Sequence, residues 1–179
     1  MLVDDETGTI TYHPRAVEAA TAAAWFDALR DGVAWHAQRR RMYDRDVDVP
    51  RLTASFRLDS AELPWAVAAA ARRGAELAET PFNSAGLNFY RDGHDSVAPH
   101  NDHLYEIVAG YPIGLFSLGA ARTMTIRSKR QPRRILDLDL EAGSFLIMSY
   151  ETQKYYDHGI PKTRKAVGPR VSVALRVRP

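Results

Sequence analysis

The run "PHNDHLYEIV" at 99–108 places His100, Asp102 and His103 within four residues. In an extended segment, residues two apart share a face, so the His100 imidazole and the Asp102 carboxylate stand side by side while Asn101 turns away. His103 falls on the opposite face from Asp102. A metal bound here needs a third donor, and His158 supplies one after the aromatic-rich run "TQKYYDHGIPK". Two imidazoles and one carboxylate on one face leave three positions open, the arrangement expected of non-haem Fe(II) centres. A second pair could bind an anion. Arg170 and Arg176 in "RVSVALR" lie six residues apart, roughly 20 Å along a strand, with both side chains on one face. A guanidinium fork takes a carboxylate in bidentate fashion, so this pair suits a short dicarboxylic acid.

Elements must hold these groups. Two segments read as helices. "PRAVEAATAAAWFDALRDG" runs from Pro14 to Gly32, with Val17, Ala20, Ala24, Ala28 and Leu29 on one stripe. "LPWAVAAAARRGAELAET" repeats the design from Pro64, with Gly74 inside it weakening the helix by about 1 kcal/mol relative to Ala. Residues 33–58 are mixed polar and aromatic, with weak alternation in "RLTASFRL". From Pro81 onward, strands and turns take over. "ILDLDLEAG" alternates Leu with Asp, giving a sheet with one wet face. "SAGLNFY", "PIGLFSL", "RTMTIR", "SFLIMSY" and "RVSVALRV" bring the count of short strands to at least six. A jelly roll or sandwich fits this spacing.

Composition narrows the class. The 179 residues are 45% hydrophobic and 26% charged, as in an ordinary globular domain, and there is no cysteine, which removes thiolate chemistry. No apolar run is long enough for a membrane span, and the acidic N-terminal residues do not read as a secretory signal. The expectation is a cytoplasmic monomer. A net charge of +2 is too small to mark a nucleic-acid binder by itself. The cations are nevertheless clustered, at 39–45, 127–134 and 162–165, and such clusters can contact phosphates.

Taken in order, "LNFYRDGHDSVAPHND", "PIGLFSLGA", "GSFLIMSYETQKYYDHGIPK" and "GPRVSVALR" resemble the AlkB family of Fe(II)- and 2-oxoglutarate-dependent dioxygenases. The likeness covers roughly residues 81–179, with a weaker echo at "VPRLTASF". It implies an α+β, mainly β fold: a double-stranded β-helix (jelly roll) with the two N-terminal helices packed on it. It further implies one domain over 1–179, with a catalytic core at 81–179 and a substrate lid at 33–63. By the same resemblance, His100, Asp102 and His158 match the iron ligands. Asn88 and Tyr90 match the pair that hydrogen-bonds 2-oxoglutarate. Arg170 matches the arginine on its far carboxylate, and Arg176 the one near its metal-bound end. The activity implied is oxidative dealkylation of N-alkylated nucleic-acid bases, consuming dioxygen and releasing formaldehyde, succinate and CO2, as in repair of alkylation damage. An alternative on the same scaffold is oxidation of a protein side chain or small molecule.

The chain departs from the family at the substrate side. Leu104 stands two positions after Asp102, where nucleic-acid members carry an acidic residue, with Glu106 two further on. Ser172 stands where many relatives have Asn, and 43–63 is short for a base-flipping hairpin. Phe56, Tyr43 and Trp35 are the candidate stacking faces, and Leu104 a contact reading the base by shape. Arg39 to Arg41 and Arg130 to Arg134 are candidate phosphate contacts. This set favours an alkylated single strand as the partner.

Overall fold

Seven of the eight residues from Ile113 to Ala120 are apolar or Gly, and this run forms the centre of the larger of two antiparallel sheets. The computed structural model describes residues 1–42 and 45–179, with only the backbone described for 38–42 and 45–48. In chain order the elements are β1 (Val3–Asp5), β2 (Gly8–His13), α1 (Ala19–Gly32), β3 (His36–Met42), β4 (Arg45–Arg57), α2 (Trp65–Ala78), β5 (Ser84–Tyr90) and β6 (Val97–His100). They continue with β7 (Ile113–Gly119), β8 (Arg122–Ser128), β9 (Ile135–Leu140), β10 (Ser144–Met148), α3 (Thr152–Tyr155), β11 (Tyr156–Ile160) and β12 (Arg170–Arg176). The large sheet has the order β1-β2-β10-β7-β12-β5-β4-β3, and the small one β6-β11-β8-β9.

The period of two along each strand divides the large sheet into two faces. Val171, Val173 and Leu175 of β12, Ala85 and Leu87 of β5, and Phe116 and Leu118 of β7 pack on one face, against α1 and α2. The opposite face carries Ile113 and Leu115 of β7 and Leu146 and Met148 of β10. These meet Met124, Ile126, Tyr156 and Ile160 from the small sheet. The molecule is thus three layers, with helices on one side and the small sheet on the other. Among the described residues no helix is long and apolar enough to cross a membrane.

The six strands expected after Pro81 are all present, joined by β6 and β11, where the local pattern predicts no strand. The N-terminal strands β1 and β2 also lie where no element is expected. β2 pairs with β10, and Ile10 is fully buried there. The β-branched alternation in "GTITYH" is the signal that marks it.

Helix α1 begins at Ala19 rather than Pro14, and its buried face is Ala22, Trp25 and Leu29, with Ala20 and Ala24 exposed. The expected stripe gives the many alanines the same weight as large side chains. Trp25 sets the face instead, because its indole packs edge-on against Phe116 at 5.6 Å. Helix α2 lies where expected, and Gly74 has a packing reason. A Cβ there would sit 2.5 Å from Leu175 Cδ1 and 3.2 Å from Phe145, so its absence lets the helix approach the sheet.

Candidate active site

Strands β6 and β11 pair so that His100 and His158 are directly opposite each other. Their rings lie 4.5 Å apart between centroids. β6 ends at His100, and Asp102 follows in irregular chain. One ligand atom from each of His100, Asp102 and His158 lies within 4.8 Å of the others. His100 Nδ1 is 3.0 Å from the Ala98 carbonyl; when Nδ1 carries the proton it donates there, leaving Nε2 as the donor for a metal. His158 is buried, and burial, reinforced by the neighbouring His100, pushes its pKa down to about 4. Its imidazole is therefore neutral at pH 7, the form a metal requires. Burial works to raise the pKa of Asp102. The charge and hydrogen bond of Arg176 outweigh that, aided by the two imidazoles, and hold the carboxyl below its ordinary range.

Arg170, Ser172, Ala174 and Arg176 of β12, with Asn88 and Tyr90 of β5, line the same cleft as His100 and His158. Arg170 is fully buried. Its Nε donates to Ser117 Oγ at 2.8 Å, and its guanidinium carbon sits 5.0 Å from the centre of the Tyr90 ring. Both terminal nitrogens are buried with no hydrogen-bond partner. Burial lowers the pKa of this cation, opposed by Tyr90. A buried fork with two orphaned donors is costly unless an anion completes it. A carboxylate fits it, as two imidazoles and a carboxylate fit Fe(II). Arg176 Nε donates to Asp102 Oδ2 at 2.5 Å, so this arginine steadies a metal-ligand candidate from within the cleft.

Two contributors lie beyond the residues that the sequence pattern singles out. Arg51, on β4, lines the cleft, and its Nε donates to Asn88 Oδ1 at 2.6 Å. The "VPRLTASF" run holds the clue, since the register Thr53↔Asn88 sets the odd-numbered residues of β4 on the cleft side. Arg122 is buried and donates to the carbonyls of Asp92, Asp95 and Pro161 at 2.8–2.9 Å, tying the turns after β5 and β11 together beside Tyr90.

The substrate candidates fare differently. Phe56 pairs with Ala85, so the same register turns it to the helix side, where it packs with the first core. Trp35 also lies on that side, against Phe89 at 5.3 Å, and its indole N–H donates to the Leu29 and Arg30 carbonyls that end α1. Neither lines the cleft. Leu104 is half-buried against the core between the sheets, and Glu106 pairs with Arg178 at 3.3 Å. Arg130 binds Glu6 at 3.2 Å and covers the Tyr155 ring. Its neighbours Lys129 and Arg134 pair with Asp157 and Asp5. Tyr43, and the side chains of Arg39 to Arg41, lie outside the described residues. One exposed aromatic pair does adjoin the triad: His103 stacks on Tyr105 at 5.2 Å, and Tyr105 is 77% exposed.

Residues 9–177 match the sequence model of the 2OG-Fe(II) oxygenase superfamily. The DNA oxidative demethylase ALKBH2 of Homo sapiens is 34% identical over 102 residues, covering 53% of this chain and 39% of that protein. The alpha-ketoglutarate-dependent dioxygenase alkB homolog 3 of Homo sapiens is 27% identical over 190 aligned positions, covering 93% of this chain and 65% of that protein. The chain therefore spans less than two thirds of the length of either relative. A Pseudomonas putida prolyl-4-hydroxylase shares the fold, with a TM-score of 0.64 at 10% identity over 97% of this chain and 95% of that one.

Proposed function

The chain belongs to the 2OG-Fe(II) oxygenase superfamily, with AlkB homologues among its relatives, and from that premise we propose that it oxidatively dealkylates N-alkylated bases in single-stranded nucleic acid. Fe(II) and 2-oxoglutarate are the cofactors of the superfamily, and His100, Asp102 and His158 form a donor set that suits the metal. The observation that carries the reading is one cleft lined by the two histidines of this triad together with the orphaned fork of Arg170, with Asp102 within 4.8 Å of both histidines. In this reading the paired sheets are the jelly roll of a single catalytic domain, and the β3–β4 hairpin borders its substrate side.

When bound, Fe(II) and 2-oxoglutarate supply the oxidising chemistry, with dioxygen consumed and succinate and CO2 released. The chain's residues hold and orient. Arg170 receives the far carboxylate of 2-oxoglutarate on its two terminal nitrogens, with Ser117 fixing its Nε. Asn88 is set by Arg51, and Tyr90 is held between Arg122 and Arg170. Apolar Val97, Met124 and Ile160 line the rest of the cleft and limit water. Hydroxylation of an N-methyl carbon yields a hemiaminal that collapses to formaldehyde and the restored base. Phosphate contacts fall to Lys162, Arg164 and Lys165, which are exposed and form no ion pair among the described residues, rather than to the 127–134 run, where Arg127, Lys129, Arg130 and Arg134 pair with acids of the same chain.

The test is formaldehyde release from methylated single and double strands under Fe(II) and 2-oxoglutarate, with succinate measured in parallel. Release greater from the single strand supports the proposal. If methylated oligonucleotides neither bind nor stimulate succinate formation, the proposal fails and a protein or small-molecule substrate replaces it. The inward packing of Phe56 and the missing carboxylate at Leu104 favour that second reading.

A further inference from the structure

The two histidines of the triad are held by strand pairing, but Asp102 is not. It lies beyond the last residue of β6, in a segment without regular structure. Its backbone N–H nonetheless has a partner, the side-chain Oε1 of Gln153 at 2.9 Å. Gln153 is 1% exposed and sits in α3, the single turn of helix that leads into β11 and His158. Its own amide nitrogen donates to Thr152 Oγ1 at 3.2 Å, which fixes the direction of the carbonyl end. A second link runs through Lys129 of the β8–β9 turn. Lys129 Nζ donates to Asn101 Oδ1 at 2.7 Å and to the Gln153 carbonyl at 3.2 Å, and lies 3.5 Å from Asp157 Oδ1. Each of these groups is on, or one residue from, the segments that carry Asp102 and His158.

We infer that Gln153 and Lys129 are positioning residues of the triad, fastening the Asp102 segment to the His158 segment so that the three donors converge before metal arrives. The inference rests on the triad being the metal site. A buried amide whose oxygen meets a single loop N–H is poorly explained as packing, since Leu would fill the same volume without needing a partner. Lys129 carries the same connection from the solvent side. Hydrogen-bonded groups behind metal ligands typically contribute about 10–100-fold in metal affinity.

The experiment titrates metal-free wild type, Gln153→Leu, Lys129→Met and Lys129→Arg with Co(II), reading affinity and the visible absorption band, and measures the melting temperature of each metal-free protein. Wild type binding Co(II) tests the metal site itself; differences among the variants test the positioning role. Gln153→Leu should bind about 10–100-fold more weakly with an altered band. Lys129→Met should shift in the same direction by less, and Lys129→Arg should restore part of the loss. Should Gln153→Leu not fold, the exposed Lys129 pair decides. Co(II) affinity and band unchanged in Lys129→Met, or unchanged in a folded Gln153→Leu whose melting temperature alone has fallen, would overturn the inference.

Discussion

In the proposed function cosubstrate binding turns on Arg170, because its position is decided without the ligand. Ser117 takes Nε, Tyr90 covers one face, and both terminal nitrogens stay open. Arg170→Ala should weaken 2-oxoglutarate binding by about 2–5 kcal/mol, the usual consequence of removing one partner of a desolvated charged pair. Arg170→Lys should also bind poorly although its charge is kept, because the planar fork is gone. Calorimetric titration of the Mn(II)-loaded protein measures both, and unchanged affinity in either would contradict the role. His158 yields a separate prediction. Its folded pKa of about 4 lies below the ordinary 6.5, so between these values the unfolded chain binds more protons. Stability of the metal-free protein should therefore fall as pH drops from about 6.5 toward about 4. The fall due to Asp102, whose pKa is also depressed, belongs to the range below 3.8. Thermal melts of chelated protein across pH 7 to 4.5, compared with His158→Asn, isolate the histidine; an equally steep decline in the variant would refute it.

At the scale of elements, the approach of β6 to β11 decides whether two histidines become a site. The pairing is irregular between His158 and Ile160, and Gly159 fills the gap. A Cβ there would lie 2.8 Å from the Val97 carbonyl oxygen and 3.0 Å from the Pro99 nitrogen. Those are backbone atoms, so a methyl group cannot be absorbed by a side chain turning aside. Gly159→Ala should destabilise by about 1–3 kcal/mol, as overpacking does. It should also weaken metal binding by moving His100 away from His158. Melting temperature with and without Mn(II) checks both parts, and a variant that keeps the full metal-induced rise would show that the strand spacing is not critical.

Across the whole molecule, charge is sorted by the fold. The 127–134 run carries five cations in eight residues, yet four of them, Arg127, Lys129, Arg130 and Arg134, face Asp157, Glu6 and Asp5. These acids come from β11, from β1 and from the turn after it, remote in sequence from the cations they pair with. The 162–165 loop keeps its charge, and it is anchored by Thr163, whose N–H donates to the Gly93 carbonyl at 2.9 Å. Replacing Lys162, Arg164 and Lys165 together by Gln should lower the log–log salt slope of single-strand binding by about 0.7 for each phosphate no longer neutralised. Replacing Arg130 and Arg134 should leave that slope nearly unchanged. Binding isotherms at several salt concentrations decide between the two patches, and the opposite ranking would return the role to 127–134.

Much of the site was legible because its chemistry is local. His100 and Asp102, Asn88 and Tyr90, and Arg170 and Arg176 are each spaced by an even number along extended chain, and a period of two puts each pair on one face whatever lies across from it. The helices and the six later strands followed from the same kind of short-range pattern. What stayed hidden depends on register between distant segments. Phe56 and Arg51 sit on one strand, and only the pairing Thr53↔Asn88 shows that the arginine enters the cleft while the phenylalanine leaves it. Gln153 reaches the Asp102 backbone across 51 residues, and Glu6 meets Arg130 across 124. A side-chain pattern along one strand fixes which residues share a face. Which face meets the helices, the other sheet or the cleft is set by the partner strands, and those exist only once the chain has closed on itself.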